Sequence, residues 1–297
     1  DPAMLIYLDS VYNRKSHPNE NYAREIMELF CLGEGNYSET DIRELARCFT
    51  GWEIKRKKFR FNRYQHDTGE KSVLGTSGKF GGEDGVRIVA GHDAAPHFIA
   101  AKLVRYFVMD EPAPSKELIQ PLADLLRRND MQTGPVIRRI LTSNLFFSAQ
   151  SVGRKIKSPV ELAIGFLRCL QGSTSAYKVA EATEELGQGL FFPPSVKGWD
   201  GGRTWINSAT LLGRSNLIRR LLEDDRTRFN RKPLPEYIAD QGIRSASELL
   251  DFFDECLFAV PIPKAARERI QSLIKNPRSQ EQLITAVHTL CTLPEFQ

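Results

Sequence analysis

Apolar residues recur at three- and four-residue intervals in segment after segment of this chain, which confines most of it to amphipathic helices that bury one face against each other. Between Tyr22 and Phe30, Tyr22, Ile26, Leu29 and Phe30 share one face and Arg24, Glu25 and Glu28 the other. An asparagine-rich entry caps that run and Gly33 closes it. Ser38 opens a second helix, with Asp41 three residues on as a relative of the capping box, and Ile42, Leu45, Ala46 and Phe49 face inward. Further helices are expected at about 84–91, 94–109, 115–129, 134–145, 158–171, 177–189, 205–222, 246–258, 263–275 and 279–292. The exception is 53–75, where Phe59 and Phe61 alternate with Arg60 and Asn62 and where Asp67-Thr68-Gly69 makes a turn. The expected fold is therefore all-α, a multi-helical domain with one small inserted β-hairpin.

Two polar stretches interrupt the helices. Gln171–Ser175 is a short link, and Glu223–Pro235 is charged, holds two prolines, and suggests a main domain over 1–222 with a C-terminal helical subdomain over 236–297 packed on it. At 297 residues and 41% hydrophobic content, the chain is long enough for one large core or two small ones. Its 41 Lys+Arg against 37 Asp+Glu leave a formal +4, too dilute over this length to specify a nucleic-acid partner. The longest apolar stretch, Phe98–Met109, is broken by Lys102 and Arg105, so no transmembrane segment is expected. The chain opens at Asp1-Pro2-Ala3-Met4, and the expectation is that a targeting segment lay upstream. Cys31, Cys48, Cys169, Cys256 and Cys291 form no zinc-ligand spacing. They read either as thiols packed like small hydrophobes or, for Cys31 and Cys48, as a disulfide.

Four groups of residues carry enough chemistry to weigh. Glu25 and Glu28, three apart on a helix, can divide acid and base roles, or can be a solvated face on which Arg24 pairs with Glu28. A di-iron bundle also requires Glu-x-x-His, which the chain lacks, and no metal is assigned. His66-Asp67 ahead of a tight turn can supply a general base, or Asp67 can form an Asx turn while His66 packs. His92-Asp93 stands at a helix start, where capping is the better use. Lys55, Arg56, Lys57, Lys58, Arg60 and Arg63 interleave with Phe59, Phe61 and Tyr64 as in single-stranded nucleic-acid platforms, but charges on a small hairpin also resist edge-to-edge pairing, and that reading is preferred. Finally, Trp199, Asp200, Arg203, Trp205 and Asn207 lie on one glycine-rich loop, a composition suited to a glycan or peptide chain, or to a loop whose indoles fill the core.

Several motifs occur in order: Asn19-Glu20-Asn21-Tyr22-Ala23-Arg24-Glu25-Ile26-Met27-Glu28-Leu29-Phe30, Ala46-Arg47-Cys48-Phe49-Thr50-Gly51-Trp52, His66-Asp67-x-x-x-Lys71-x-x-Leu74-Gly75, Lys157-Ser158-Pro159-Val160-Glu161 and Pro193-Pro194-x-Val196-Lys197-Gly198-Trp199. With the closing Leu293-Pro294-Glu295-Phe296-Gln297, they make the chain resemble the C-terminal two-thirds of members of the bacterial family catalogued as domain of unknown function 1800. Cys48 departs from that family's pattern, which has Ala there. The resemblance brings no mechanism, substrate or cofactor. It implies a periplasmic or secreted location, since such proteins often look exported and are often encoded beside another exported family, and it implies an exported protein as partner. Two functions follow: an extracytoplasmic binding or assembly module acting with a secreted protein or a glycan, which the absence of a nucleophile motif or phosphate loop favours, and a hydrolase-type enzyme whose polar site combines Glu25, Glu28, His66 and Asp67.

Overall fold

Short polar side chains set the helix starts much as their positions in the sequence suggest. Ser38, Ser115, Ser158, Asn207 and Ser245 each accept the backbone N–H three residues on, satisfying a donor that the first helical turn leaves unpaired. In the computed structural model, which describes residues 1–297, helix accounts for 54% of the chain. Strands form only three two-stranded antiparallel sheets. The chain divides into two compact units, residues 1–107 with 113–142 and residues 108–112 with 143–297.

The first unit runs α1 (Pro2–Tyr7), α2 (Asn21–Glu25), α3 (Glu39–Phe49), β1 (Trp52–Lys55), β2 (Lys58–Phe61), β3 (Lys71–Val73), β4 (Thr76–Gly78), α4 (Gly82–Gly91), α5 (Ala94–Phe107), α6 (Lys116–Arg128) and α7 (Thr133–Leu141). Helix α2 does not end at Glu25 but widens into a π turn over Ile26–Cys31, where Leu32 N–H reaches the carbonyl of Met27 at 2.8 Å. Lys102 Nζ donates to the Leu29 carbonyl at 2.9 Å, satisfying an acceptor within that turn.

Where the sequence suggests one hairpin, two follow each other. Arg56 and Lys57, both left-handed at φ 52° and 62°, close β1 on β2 in a register from Trp52↔Phe61 to Lys55↔Lys58. Leu74 and Gly75 close β3 on β4 in the same way, and Asp67-Thr68-Gly69 lies between the hairpins. The Phe49-Thr50-Gly51-Trp52 motif becomes the hinge between helix and hairpin. Phe49 is fully buried, with ring centroids 4.8 Å from Tyr22 and 5.0 Å from Trp52. A Cβ on Gly51, at φ +83°, would lie 2.6 Å from the Asn62 carbonyl, and one on Gly82 would meet the Trp52 ring at 2.2 Å.

The second unit runs α8 (Pro159–Cys169), β5 (Gly172–Ser173), α9 (Ala176–Glu185), α10 (Ser208–Glu223), β6 (Arg228–Phe229), α11 (Leu234–Asp240), α12 (Ala246–Leu257), α13 (Lys264–Leu273) and α14 (Gln280–Cys291). Leu162, Phe166, Ile218, Phe253, Leu283 and Val287 are at the centre of its core. The charged 223–235 segment is part of this unit: β6 pairs with β5, and Phe229, 1% exposed, packs on Phe166 and Tyr237. Phe296 is equally buried, with Lys157 Nζ over its ring at 4.1 Å and donating to its carbonyl. All five cysteines are free thiols, and burial raises the Cys48 thiol to about 11. No helix is long and apolar enough to cross a membrane.

Candidate functional site

In the first unit the polar side chains gather around Thr50, at the end of α3. Its hydroxyl donates to the Arg47 carbonyl at 2.7 Å and accepts the Asp67 N–H at 2.8 Å. His66 Nδ1 lies 2.8 Å from the Thr50 carbonyl, an acceptor only, so Nδ1 carries the proton and Nε2 keeps the lone pair. The His66 ring is thus oriented by a backbone carbonyl rather than by Asp67. The Asp67 carboxylate instead receives Arg47 Nε and the Gly69 N–H, both at 2.8 Å, making the Asx turn. Arg47 also binds Glu44 at 2.8 Å. Lys71, 2% exposed, donates to the carbonyls of Asp67 at 2.6 Å and Gly69 at 3.0 Å, and its burial lowers its pKa. The spacing from His66 to Lys71 is therefore that of a loop closed by its own lysine.

The carboxylate pair on the first helix is engaged separately. Glu28 accepts the Tyr37 hydroxyl at 3.1 Å, and burial, then that bond, push Tyr37 up to about 12. Burial raises Glu25, and the Glu28 charge raises it further. Arg24 turns to Glu39 at 2.7 Å and Glu20 at 3.5 Å, not to Glu28. The π turn explains this, because it changes the angular phase on which an i,i+4 pair depends. Glu25 and Glu28 share one surface, and His66 and Asp67 are adjacent, but no hydrogen bond or ion pair joins the two sets. No three His, Cys, Asp or Glu side chains converge in a way that could hold a metal ion.

A pH dependence follows from Asp67. The Arg47 guanidinium beside it holds the folded carboxyl below the usual value of about 3.9. A depressed folded value means that its stabilisation is complete above the unfolded value and is lost as pH falls through the folded one. Urea unfolding from pH 6 to pH 2 should therefore show Asp67→Asn less stable than the parent at pH 6, with the gap closing below about pH 4. A gap independent of pH would contradict this.

The second unit holds the other set of candidates. Trp199 is half-buried, its Nε1 donating to the Gly187 carbonyl at 3.0 Å. Trp205 is 9% exposed and belongs to the core. Asn207 caps α10 through the Thr210 N–H at 2.9 Å. Asp200 and Arg203 face solvent, paired with Lys197 at 2.6 Å and Glu111 at 3.0 Å. The loop therefore keeps Trp199, Asp200 and Arg203 near its surface and commits Trp205 and Asn207 to the fold.

Sequence reasoning passed over the most exposed residues of this region. Phe191 is 94% and Phe192 79% exposed, with Leu190 half-exposed before them and Pro193-Pro194 after. Phe191 has a φ of +66°, rarely adopted by a bulky residue. The backbone around it is held by the Phe192 N–H to Gly189 (3.1 Å) and the Gly198 N–H to Ser195 (3.0 Å). The signal was present: three large apolar residues directly before a double proline cannot extend a helix, so they have no helical face to bury. A separate pocket of about 360 Å³ between α8, α9 and α10 has an apolar floor of Val179 and Leu217. Two of its rim cations are already paired, Lys178 with Asp224 at 2.7 Å and Arg220 with Glu185 outside the pocket at 2.7 Å.

A family model described as "Protein of unknown function (DUF1800)" matches residues 1–297. No curated protein and no solved structure matches the chain.

Proposed function

The chain belongs to the DUF1800 family along its whole length, and on that premise we propose that it is an extracytoplasmic binding or assembly module that docks an exported protein through the Leu190–Arg203 loop. The observation that carries this reading is the exposure of Phe191 and Phe192 on a hydrogen-bonded loop. A backbone already tied by its own hydrogen bonds loses little conformational freedom when a partner covers the rings it carries, and aromatic residues with arginine dominate interface energetics. Arg203, 81% exposed on its side chain, and Asp200 supply a polar rim. A glycan is the second ligand class this loop can take, with Trp199 as the stacking surface.

A hydrolase-type enzyme is supported by one detail, the His66 tautomer, which leaves Nε2 able to take a proton. In that reading His66 is the general base, Asp67 is its neighbour in sequence, and Glu25 and Glu28 would have to reach the same substrate from the first helix. The binding reading has the stronger support, because Asp67 is neutralised by Arg47 and the Glu25–Glu28 surface is tied to Tyr37.

A photo-crosslinking residue at position 191, introduced in cells, should give a discrete adduct with one exported protein. Phe192→Ser should reduce that adduct at least tenfold, as expected for a central interface aromatic, while leaving the thermal midpoint unchanged. An adduct that persists in Phe192→Ser, or no adduct at all, would overturn the protein-docking reading. Quenching of tryptophan emission by soluble oligosaccharides would then identify a glycan.

A further inference from the structure

The β1–β2 hairpin of the first unit separates two chemistries by face. Residues directly opposite in an antiparallel pair point the same way, so Trp52, Ile54, Phe59 and Phe61 form one face and Glu53, Lys55, Lys58 and Arg60 the other. On the first face Phe59 and Phe61 are 48% and 49% exposed, their rings set edge-on against Trp52 at 5.4 Å and His66 at 5.3 Å. Tyr64, 68% exposed, follows β2 by three residues and carries the Arg63 guanidinium over its ring at 4.9 Å. Tyr12, 65% exposed, lies beside the hairpin, because the Gly51 N–H bonds Asn13 at 3.2 Å and the Lys15 N–H bonds Gln65 at 2.9 Å.

The tip carries four consecutive cations. Glu53 is spent on Arg60 at 3.3 Å, and no carboxylate lies within ion-pair distance of Lys55, Arg56, Lys57 or Lys58. Lys55 and Lys58 are directly opposite, a like-charge pairing that weakens the hairpin. Arg56 and Lys57 occupy the left-handed turn positions where Asn-Gly is the favoured pair. Protection against edge pairing can account for Lys55 and Lys58, which end the two strands, but not for Arg56 and Lys57, because the turn has no strand edge to protect. The fold thus concentrates uncompensated positive charge at one projecting point and exposed rings just behind it.

We infer that this hairpin docks the protein on an anionic lipid surface, with Lys55–Lys58 in the headgroup layer and Phe59, Phe61 and Tyr64 at its apolar boundary. Basic side chains are drawn to anionic headgroups, and amphipathic rings settle at that depth. A polynucleotide fits less well, since single-strand platforms line up their cations along a groove that tracks successive phosphates, whereas Lys55, Arg56, Lys57 and Lys58 are grouped on one turn. This inference is independent of the partner-docking loop, which lies in the other unit.

The test is co-sedimentation of the whole chain with vesicles of phosphatidylglycerol and phosphatidylcholine, and with vesicles of phosphatidylcholine alone. Binding is expected to the first and not the second, and raising salt from 0.1 M to 0.5 M should release it. The variant with Lys55, Arg56, Lys57 and Lys58 all changed to Gln should lose about 100-fold or more in partition coefficient. Phe59→Ser should weaken binding without changing its salt dependence, a second readout should the quadruple variant fold poorly. Equal binding to neutral vesicles, or none to anionic ones, overturns the inference. So does displacement of the protein from vesicles by a single-stranded oligonucleotide that binds the same hairpin more tightly, which would make nucleic acid the ligand.

Discussion

Arg214→Ala should destabilise the second unit by about 3–5 kcal/mol. Arg214 is 1% exposed and pairs with no Asp or Glu side chain. It donates instead to the Lys157 carbonyl at 2.9 Å, the Gln297 main-chain oxygen at 3.1 Å and the Gln297 side-chain oxygen. Burial lowers its pKa to about 10, which still leaves it charged at neutral pH. Removing it strands those acceptors in a dry interior and opens a cavity beside Phe296, so both the hydrogen-bond and the packing contributions act in the same direction. Arg214→Lys should recover only part of the loss, because an ammonium cannot reproduce the planar fork. Urea denaturation followed by the emission of Trp199 and Trp205, both in this unit, measures the effect. A loss under about 1 kcal/mol would mean that water replaces the guanidinium and that the arginine does not fasten the 293–297 segment.

Phe49→Ala should cost the first unit a similar amount, about 3–5 kcal/mol, from the buried ring and its two aromatic contacts. Phe49 stands between Tyr22 on α2 and Trp52 on β1, so its loss also frees the ring that covers Gly82. The emission of Trp52, the only tryptophan in that unit, should shift to longer wavelength as water reaches it. Phe49→Leu should lose less, since most of the apolar volume is kept. Unchanged stability in Phe49→Ala would show that the hairpin packs on α3 by contacts other than this stack.

The family motifs turn out to be legible as architecture once each residue has a partner. Phe49, Gly51 and Trp52 fill a corner, Thr50 holds the backbone of Asp67 and the ring of His66, and Lys71 closes the loop that carries both. The capping box at Ser38 and Asp41 could be read directly, because both of its hydrogen bonds are local. Asn207 sits among loop residues suited to a ligand, yet its position three residues before Thr210, at the head of an apolar helical run, is that of a cap. The Glu25–Glu28 face was harder to read, since the sequence gives no sign that the helix widens into a π turn and so redirects Arg24 to Glu39.

By itself, then, the sequence determined the helical class, most helix starts and most of the residues that turn inward, with Asn207 as a cap and the 40% exposure of Phe30 as exceptions, because these depend on periodicity and on hydrogen bonds spanning three or four positions. Only the tertiary structure decided which polar groups are free to act. Arg47 meets Asp67 across 20 positions and Arg214 meets Gln297 across 83, and contacts of that separation leave no local pattern. The exposure of Phe191 and Phe192 was decided there too, since a residue is left in water only when every other element has found a different face to bury.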